Sequence, residues 1–382
     1  MTPRRERAPL VLDLGVLGRN PKGVGRVLGE LAPRLVDRDP ERFRAVCTSA
    51  ALPLLDGDLG RRAVVVPTVA QAVWEQVLLP ATAARLGAGA IYSHQECGAL
   101  WGPPLLLHVP EDPEVRWARE PVTTVREGAR RSYSRTLLGR SLRRAAVVTS
   151  TAATLDDLRR NHGLAPTAGV VVPLGVDLAR FRPPTEPTRR PPYFFHLASP
   201  DPRDRTDLVV DAYARLCARS ADAPMLVIAG NLGGQAGPVE ERVTRHGISE
   251  RVSLCGYVPD AELSELYGGA VASIHAAPDE GFGLQPLEAM ACGTLVVSTW
   301  APAVVEVTEG GEVVWAEPRT ESLADALESA WREEARRARA AVVNRRRAEA
   351  LSWDRTAAHL HQLLVEVADR PGRRHGEAGP PR

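Results

Sequence analysis

The sequence predicts an α/β protein of two tandem domains, each a parallel sheet with helices on both faces, with a cleft between them. Three observations carry this. Short apolar runs alternate with longer amphipathic ones along almost the whole chain. The alternation stops at a Pro-rich, charged stretch, PPTEPTRRPP (Pro183–Pro192), and then restarts. The length, 382 residues, exceeds one average domain of roughly 150 and suits two.

In the first half, strands are expected at Leu10–Leu14, Arg44–Thr48, Ala63–Val66, Ala90–Tyr92, Leu105–His108, Ala146–Thr149 and Val170–Val172. Helical periodicity separates them at Gly25–Val36, Ala70–Leu86, Val125–Arg144 and Ala152–His162. In the second half, strands are expected at Tyr193–Leu197, Met225–Ala229, Val252–Cys255, Ala272–His275 and Leu295–Ser298. Helices are expected at Asp207–Ala218, Ala261–Tyr267, Leu284–Cys292 and Ser322–Glu349, with a last amphipathic helix at Trp353–Val367. The expected organisation is a first domain over 1–182, a linker over 183–192 and a second domain over 193–351. A helix over 352–369 then crosses back to the first domain, and a Gly, Pro and Arg tail over 370–382 is expected to be disordered. Each domain reads as Rossmann-like. Ligands of such sheets sit at the carboxyl ends of the strands, which places the default site in the interdomain cleft.

Composition narrows the class. Hydrophobic residues make up 44% and charged residues 25%, which excludes a disordered chain, a collagen-like fibre and a disulfide-stapled miniprotein. A formal net charge of +1 supplies no field for nucleic acid. Lys22 is the sole lysine, so the basic residues are almost all Arg; with abundant Ala, Gly and Pro this reads as high-G+C bacterial codon usage. Cys47, Cys97, Cys217, Cys255 and Cys292 are scattered, odd in number and free of CxxC pairs, as reduced thiols of a cytoplasmic protein would be. The run PLVLDLGVL after Arg4, Arg5 and Arg7 is interrupted by Asp13 and reads as a buried first strand rather than a signal core. No apolar stretch reaches the 18 or so residues that a bilayer span requires.

The segment richest in chemistry is SIHAAPDEGFGLQPLEAMACGTLVV (Ser273–Val297). A strand ends near His275, a loop holds Glu280, Gly281, Phe282 and Gly283, and a helix begins at Leu284 and ends before Gly293. A helix N-terminus after a Gly loop offers free N–H groups and partial positive charge to a diphosphate. That effect, about 0.3–2 kcal/mol, needs further cations. Glu280 and Glu288, with seven residues between them, suit hydroxyl donors such as those of a sugar and a ribose. The composite is a site for a sugar nucleotide.

This segment closely resembles the donor-site motif of the family 4 retaining glycosyltransferases of the GT-B fold. Other stretches resemble the same family in the same order. They are KGVGRVLGELAPRL (Lys22–Leu35), VVVPLGVDLARFRP (Val170–Pro183, with Leu174 where Asn is usual), RVSLCGYVPDAELSELY (Arg251–Tyr267) and SWDRTAAHLHQLL. The resemblance spans about residues 8 to 367 and implies the GT-B fold. It implies Glu288 on the ribose hydroxyls, Glu280 on the transferred sugar and the amides of Phe282, Gly283 and Leu284 on the phosphates. Tyr257 and Val258 would border the base, and Gly23 would lie in the first domain's Gly-rich loop. The family's Arg and Lys pair on the diphosphate is missing from FFHLASPDPRDRTDLVVDAY, which leaves Arg203 and Arg205 as available cations. In LLLHVPEDPEVRW, the resemblance puts His108 at the sugar–acceptor junction, with Glu111, Asp112 and Glu114 to orient an acceptor hydroxyl.

The implied activity is retaining, metal-independent transfer of a hexose-type sugar from a nucleoside diphosphate to an acceptor hydroxyl. The acceptor would be a sugar, a lipid-linked molecule or a natural product. No cofactor beyond the donor substrate is expected. Two rivals are an epimerase of the same fold and a catalytically weak binding or scaffold subunit. Structural readings stand beside the functional ones. Arg203 and Arg205 have Asp201, Asp204 and Asp207 as local partners, His108 reads equally as a strand-end cap, and Gly23 and Gly25 read as turn formers. His275 reads as structural, and DGD (Asp56–Asp58) as a turn rather than a metal site. The seven arginines of Arg126–Arg144 suit anionic lipid at the inner membrane face or an anionic acceptor, although a solvated helix face is the commoner outcome.

Overall fold

Seven apolar runs of the first half pair side by side in a parallel sheet. They are β1 (Leu10–Asp13), β2 (Phe43–Thr48), β3 (Val64–Val66), β4 (Ala90–His94), β5 (Leu105–Val109), β6 (Ala146–Thr149) and β7 (Val170–Val171), in spatial order β3-β2-β1-β4-β5-β6-β7. The helices of this half are α1 (Val24–Arg38), α2 (Gly57–Arg61), α3 (Gln71–Val73), α4 (Leu79–Arg85), α5 (Pro113–Trp117), α6 (Val125–Arg144) and α7 (Ala152–His162). Central strands such as β1 and β5 are buried along their whole length, which is why they read as continuous apolar runs without alternation. This is the computed structural model of the chain, and it describes residues 7–17, 23–55, 57–118, 122, 124–185 and 190–369. Arg4, Arg5, Lys22, Asp56, linker positions 186–189 and the tail 370–382 lie outside those residues.

The second half repeats the plan. Its strands are β8 (Tyr193–Leu197), β9 (Met225–Ala229), β10 (Val252–Gly256), β11 (Ala272–His275), β12 (Val296–Thr299) and β13 (Val313–Ala316), in the order β10-β9-β8-β11-β12-β13 and all parallel. The helices are α8 (Thr206–Arg219), α9 (Ala236–Arg245), α10 (Asp260–Gly268), α11 (Leu284–Ala291), α12 (Pro302–Val307), α13 (Thr320–Arg332), α14 (Glu334–Glu349) and α15 (Trp353–Asp369). In both sheets the order reverses beside the first strand, between β1 and β4 and between β8 and β11. Crevices open at the carboxyl ends there.

Three sequence expectations need correction. The helix expected at Ser322–Glu349 is two helices, because the backbone leaves helical angles at Glu333 (φ −90°, ψ 74°) and α13 packs on α8 while α14 packs on α11. The helix expected at Ala70–Leu86 widens to a π-turn over Trp74–Leu78, where the Leu79 amide bonds the Trp74 carbonyl. Pro80 is the cause: it has no N–H for the Gln76 carbonyl, which accepts instead from Trp101 Nε1 at 2.6 Å. Gly57 and Asp58 of the DGD segment lie in the short helix α2 rather than in a turn. Strand β13 and helices α5, α9 and α12 were not apparent in the periodicity.

The last helix, α15, packs on α1, β4 and β5 of the first sheet. Its start is fixed by a parallel bridge between Val176 and Ser352 and by Gly175, whose missing Cβ would lie 2.0 Å from the Trp353 amide. No helix of the described residues is long and apolar enough to cross a membrane.

Candidate functional site

The cleft between the two sheets encloses about 970 Å³. Gly15, Gly23, Arg26, His94, Glu111 and Arg116 line it from the first domain, and Arg203, Tyr257, Val258, Glu280 and Glu288 from the second.

The second domain's wall is built by the loop after β11. Gly283 turns at φ 96°, a left-handed angle that glycine adopts without Cβ strain, and α11 begins at Leu284. Helix geometry leaves the Leu284 and Gln285 amides without intrahelical partners at the cleft, while Pro286 has no amide to offer. Phe282 is buried on the wall. One turn into the helix, Glu288 is 2% exposed. Its Oε1 lies 2.9 Å from Arg26 Nη2 of α1, and its Oε2 accepts from the Tyr267 hydroxyl at 3.4 Å. Burial pushes the Glu288 pKa up to about 7, against the pull of Arg26 and with a push from Asp260. The Arg26 guanidinium also lies over the Phe181 ring, 5.4 Å from its centroid.

Glu280 stands on the loop facing the first domain. Burial in the cleft pushes its pKa up to about 8; Arg203 opposes the rise and Glu111 adds to it. Some 31% of its side chain stays accessible, so water in the open cleft softens that rise. His275 Nε2 lies 3.8 Å away, and burial pushes the His275 pKa down to about 4, so near neutral pH this contact is not an ion pair.

The two candidate phosphate cations part ways. Arg203 reaches the cleft and pairs with Asp201 Oδ2 at 2.7 Å and with Glu111 Oε2 at 3.0 Å across the domains. Arg205 sits at the N-cap of α8 with φ 51°, its guanidinium 3.2 Å from Asp207 Oδ1, away from the cleft wall. Of the two available cations, Arg203 lines the cleft and Arg205 does not, which corrects the expectation for Arg205.

On the first domain's side, the His108 expectation also needs correction. His108 is 0% exposed, with Nδ1 2.9 Å from the Tyr92 hydroxyl and Nε2 2.9 Å from Ser150 Oγ. Its ring is a core group beneath the cleft and does not line it. The imidazole on the wall is His94, at the end of β4. Its ring packs edge-on to His108 at 4.3 Å, and its buried Nδ1 has no partner among the described residues. Burial pushes the His94 pKa down to about 3, so it remains a neutral hydrogen-bonding group.

Of the acids after β5, only Glu111 lines the cleft. Asp112 caps α5 and takes Asn161 Nδ2 at 2.8 Å and His162 Nε2 at 2.9 Å, while Glu114 pairs with Arg135 at 2.7 Å. Glu111 Oε1 holds Arg116 Nη1 at 2.8 Å, and Arg116 Nη2 holds Glu96 at 2.7 Å. Gly23 (φ 51°) begins α1 at the cleft edge, and Tyr257 is 72% exposed at the opposite rim. Arg26 and His94 were not singled out from the sequence. The signals were there: Arg26 lies inside the Gly-rich stretch, and His94 ends an apolar run.

The domains touch closely around the glycine loop. Thr151 Oγ1 donates to the Gly281 carbonyl at 3.1 Å, the Ala152 amide donates to Glu306 at 2.8 Å, and a Cβ on Gly281 would lie 2.0 Å from the Pro110 carbonyl oxygen. A second cavity, of about 820 Å³, lies in the first domain between Gln71 and α6 and shares Gln71, Glu96 and Arg130 with the cleft wall.

Residues 179–347 match the family described as Glycosyl transferases group 1. The chain is 32% identical over 212 residues to a GDP-mannose-dependent alpha-(1-6)-phosphatidylinositol dimannoside mannosyltransferase of Mycobacterium tuberculosis, covering 53% of each chain. It is 31% identical over 231 residues to a D-inositol 3-phosphate glycosyltransferase of Rhodococcus opacus, covering 55% of this chain and 51% of that one. The chain thus spans about half the length of the curated relatives it matches. Sucrose-phosphate synthase from Thermosynechococcus elongatus superposes with a TM-score of 0.74 at 16% identity, over 94% of this chain and 99% of that one. The fold is GT-B, and its second half carries the sequence pattern of the group 1 glycosyl transferases.

Proposed function

We propose that this protein is a retaining glycosyltransferase that moves a hexose-type sugar from a nucleoside diphosphate to an acceptor hydroxyl. The observation that carries this reading is the placement of Glu280 and Glu288 in one interdomain cleft, on either side of a glycine turn that opens α11. Glu288 takes the ribose hydroxyls. The first amides of α11 and Arg203 take the diphosphate, and Tyr257 and Val258 border the base. Glu280 meets the transferred sugar.

The bond from the sugar's anomeric carbon to the phosphate oxygen breaks, and a bond from that carbon to the acceptor oxygen forms on the same face. The acceptor's proton passes to the departing phosphate. Arg203 and the helix N-terminus stabilise the charge that grows there, so the transfer requires no metal. Closure around Gly281 excludes water, which would otherwise hydrolyse the donor. His94 offers a neutral hydrogen bond on the acceptor side. The acceptor's remaining bulk, a sugar, a lipid-linked molecule or a natural product, extends toward the second cavity. The exposed arginines of α6 rest there against anionic lipid or an anionic acceptor at the inner membrane face. The names of the two relatives support a nucleotide-sugar donor and a polyol or lipid acceptor. They do not favour the epimerase.

A second reading, a scaffold that retains the fold, is favoured by the carboxylates that occupy the cleft's arginines. A thermal-shift panel with UDP, GDP, dTDP and ADP, run beside Glu288→Ala, separates the two. A shift for one nucleotide that the variant loses supports the enzyme. A folded protein that responds to none supports the scaffold.

A further inference from the structure

We propose that Glu111 stands in for the donor's diphosphate when no nucleotide is bound, so that nucleotide binding exchanges one anion for another on Arg203 and Arg116. The inference rests on the donor-site reading above and adds a selectivity residue to it.

Glu111 bridges two arginines from opposite domains with separate oxygens. Oε1 lies 2.8 Å from Arg116 Nη1, and Oε2 lies 3.0 Å from Arg203 Nη1. Two oxygens of a phosphate group would make the same pair of charge-assisted contacts. The inventory of the wall points the same way. Among the described residues it carries four arginines and five carboxylates. Of these, Glu111 sits on two of the arginines that a diphosphate would engage, so the phosphates reach them as Glu111 withdraws. Asp201 is poorly placed to do so, because its Oδ1 caps the turn at the Arg203 amide (2.9 Å). Glu288 is the acid that the ribose needs. Glu111 holds both Arg116 and Arg203 and lies on the loop after β5, where a side-chain rotation releases the two arginines together.

The consequence is selectivity by phosphate number. A nucleoside leaves Glu111 in place, whereas a diphosphate replaces both of its contacts. Removing the charge at 111 therefore strengthens diphosphate binding, the opposite of the loss expected for a residue that holds the donor. The test is isothermal titration of the full chain with UDP and GDP, and with uridine and guanosine as controls, in wild type and Glu111→Gln. The expected result is diphosphate binding about tenfold tighter in the variant, with nucleoside binding unchanged. Glu111→Asp keeps the charge but is one methylene too short to span both arginines; it gives a smaller gain of the same sign and serves where the glutamine variant melts. Equal or weaker diphosphate binding in both variants, with nucleoside binding intact, overturns the exchange. Absence of any nucleotide or nucleoside binding in wild type and variants alike overturns the donor-site reading, and this inference with it.

Discussion

Arg26 and Glu288 meet across the interdomain cleft at 2.9 Å, a cation from α1 of the first domain on a buried acid from α11 of the second. The pair sets the charge state of the acid proposed to bind the ribose. Burial raises the Glu288 pKa to about 7, and Arg26 is the strongest force holding it down. Nucleoside affinity is expected to fall as pH drops through about 7, as Glu288 takes up its proton. In Arg26→Ala that midpoint moves to higher pH, with a severalfold loss of affinity at neutral pH. Titration with a nucleoside keeps phosphate ionisation out of the measurement. Identical pH profiles for the two proteins would show that the pair does not act on binding.

Arg203 and Arg205 are two residues apart in sequence and differ in position by one left-handed residue. Arg203→Ala is expected to weaken nucleoside diphosphate binding by about tenfold or more, the scale of one lost charge-assisted contact. Nucleoside binding should not change. Arg205→Ala should leave both unchanged, because its guanidinium is held on Asp207. Calorimetry on the two variants distinguishes them, and an effect of Arg205 equal to that of Arg203 would refute the placement.

His94 and His108 stack edge to face, yet they should fail in different assays. His108→Phe strands the buried Tyr92 hydroxyl and Ser150 Oγ, at roughly 1–3 kcal/mol for each lost partner. A fall of several degrees in unfolding midpoint follows. His94→Phe removes a ring whose Nδ1 has no partner, so the midpoint should hold while sugar transfer falls. Differential scanning calorimetry beside a transfer assay reads both effects. A large stability loss in His94→Phe would contradict this division.

Glu75 is 1% exposed and accepts from Gln71 Nε2 and the Tyr133 hydroxyl, both at 2.7 Å. Burial pushes its pKa up to about 8 from the ordinary glutamate value of 4.5. A carboxyl whose pKa is raised by folding binds more protons in the folded state than in the unfolded one across that window. Its contribution therefore destabilises the fold progressively as pH rises from about 4.5 to about 8, by up to about 1.4 kcal/mol per pH unit. Glu75→Gln removes this dependence. The variant's advantage in unfolding midpoint should grow between pH 6 and pH 8 and level off above, as Glu75 completes its ionisation. A constant difference across that range would mean that Glu75 is already charged in the folded protein.

Gly175 lies against the start of α15, where an added Cβ would meet the Trp353 amide at 2.0 Å and the Ser352 carbonyl carbon at 2.3 Å. Both obstacles are backbone and cannot rotate away. Gly175→Ala is expected to cost about 1–3 kcal/mol or more and to loosen α15 from the first sheet. Limited proteolysis should then cut near Ser352 faster than in wild type. An unchanged cleavage pattern would show that the crossing tolerates displacement.

Much of this protein was legible in its residues alone. Strands such as Ala146–Thr149, Met225–Ala229 and Ala272–His275, and the helices Val125–Arg144 and Ala152–His162, lie where periodicity puts them. Fully buried parallel strands must be apolar throughout, amphipathic helices must cover them, and both demands are local. The glycine loop with Glu280 and the helix with Glu288 were legible for the same reason, since Gly283 and the helix start are set by neighbours in sequence.

Tertiary structure decided what faces what. Whether His94 or His108 reaches the cleft depends on which strand end lies beside the second domain, a contact that periodicity does not encode. Arg203 and Arg205 were separated by a single left-handed residue, and Glu111 from Asp112 by an α5 cap that draws Asp112 toward Asn161 and His162. The partnership of Arg26 with Glu288 joins residues 262 positions apart (288 − 26). Only the packing of two sheets face to face could bring them together. Local sequence determined the elements and the chemistry they carry, and long-range burial and ion pairing chose which of those groups share the cleft.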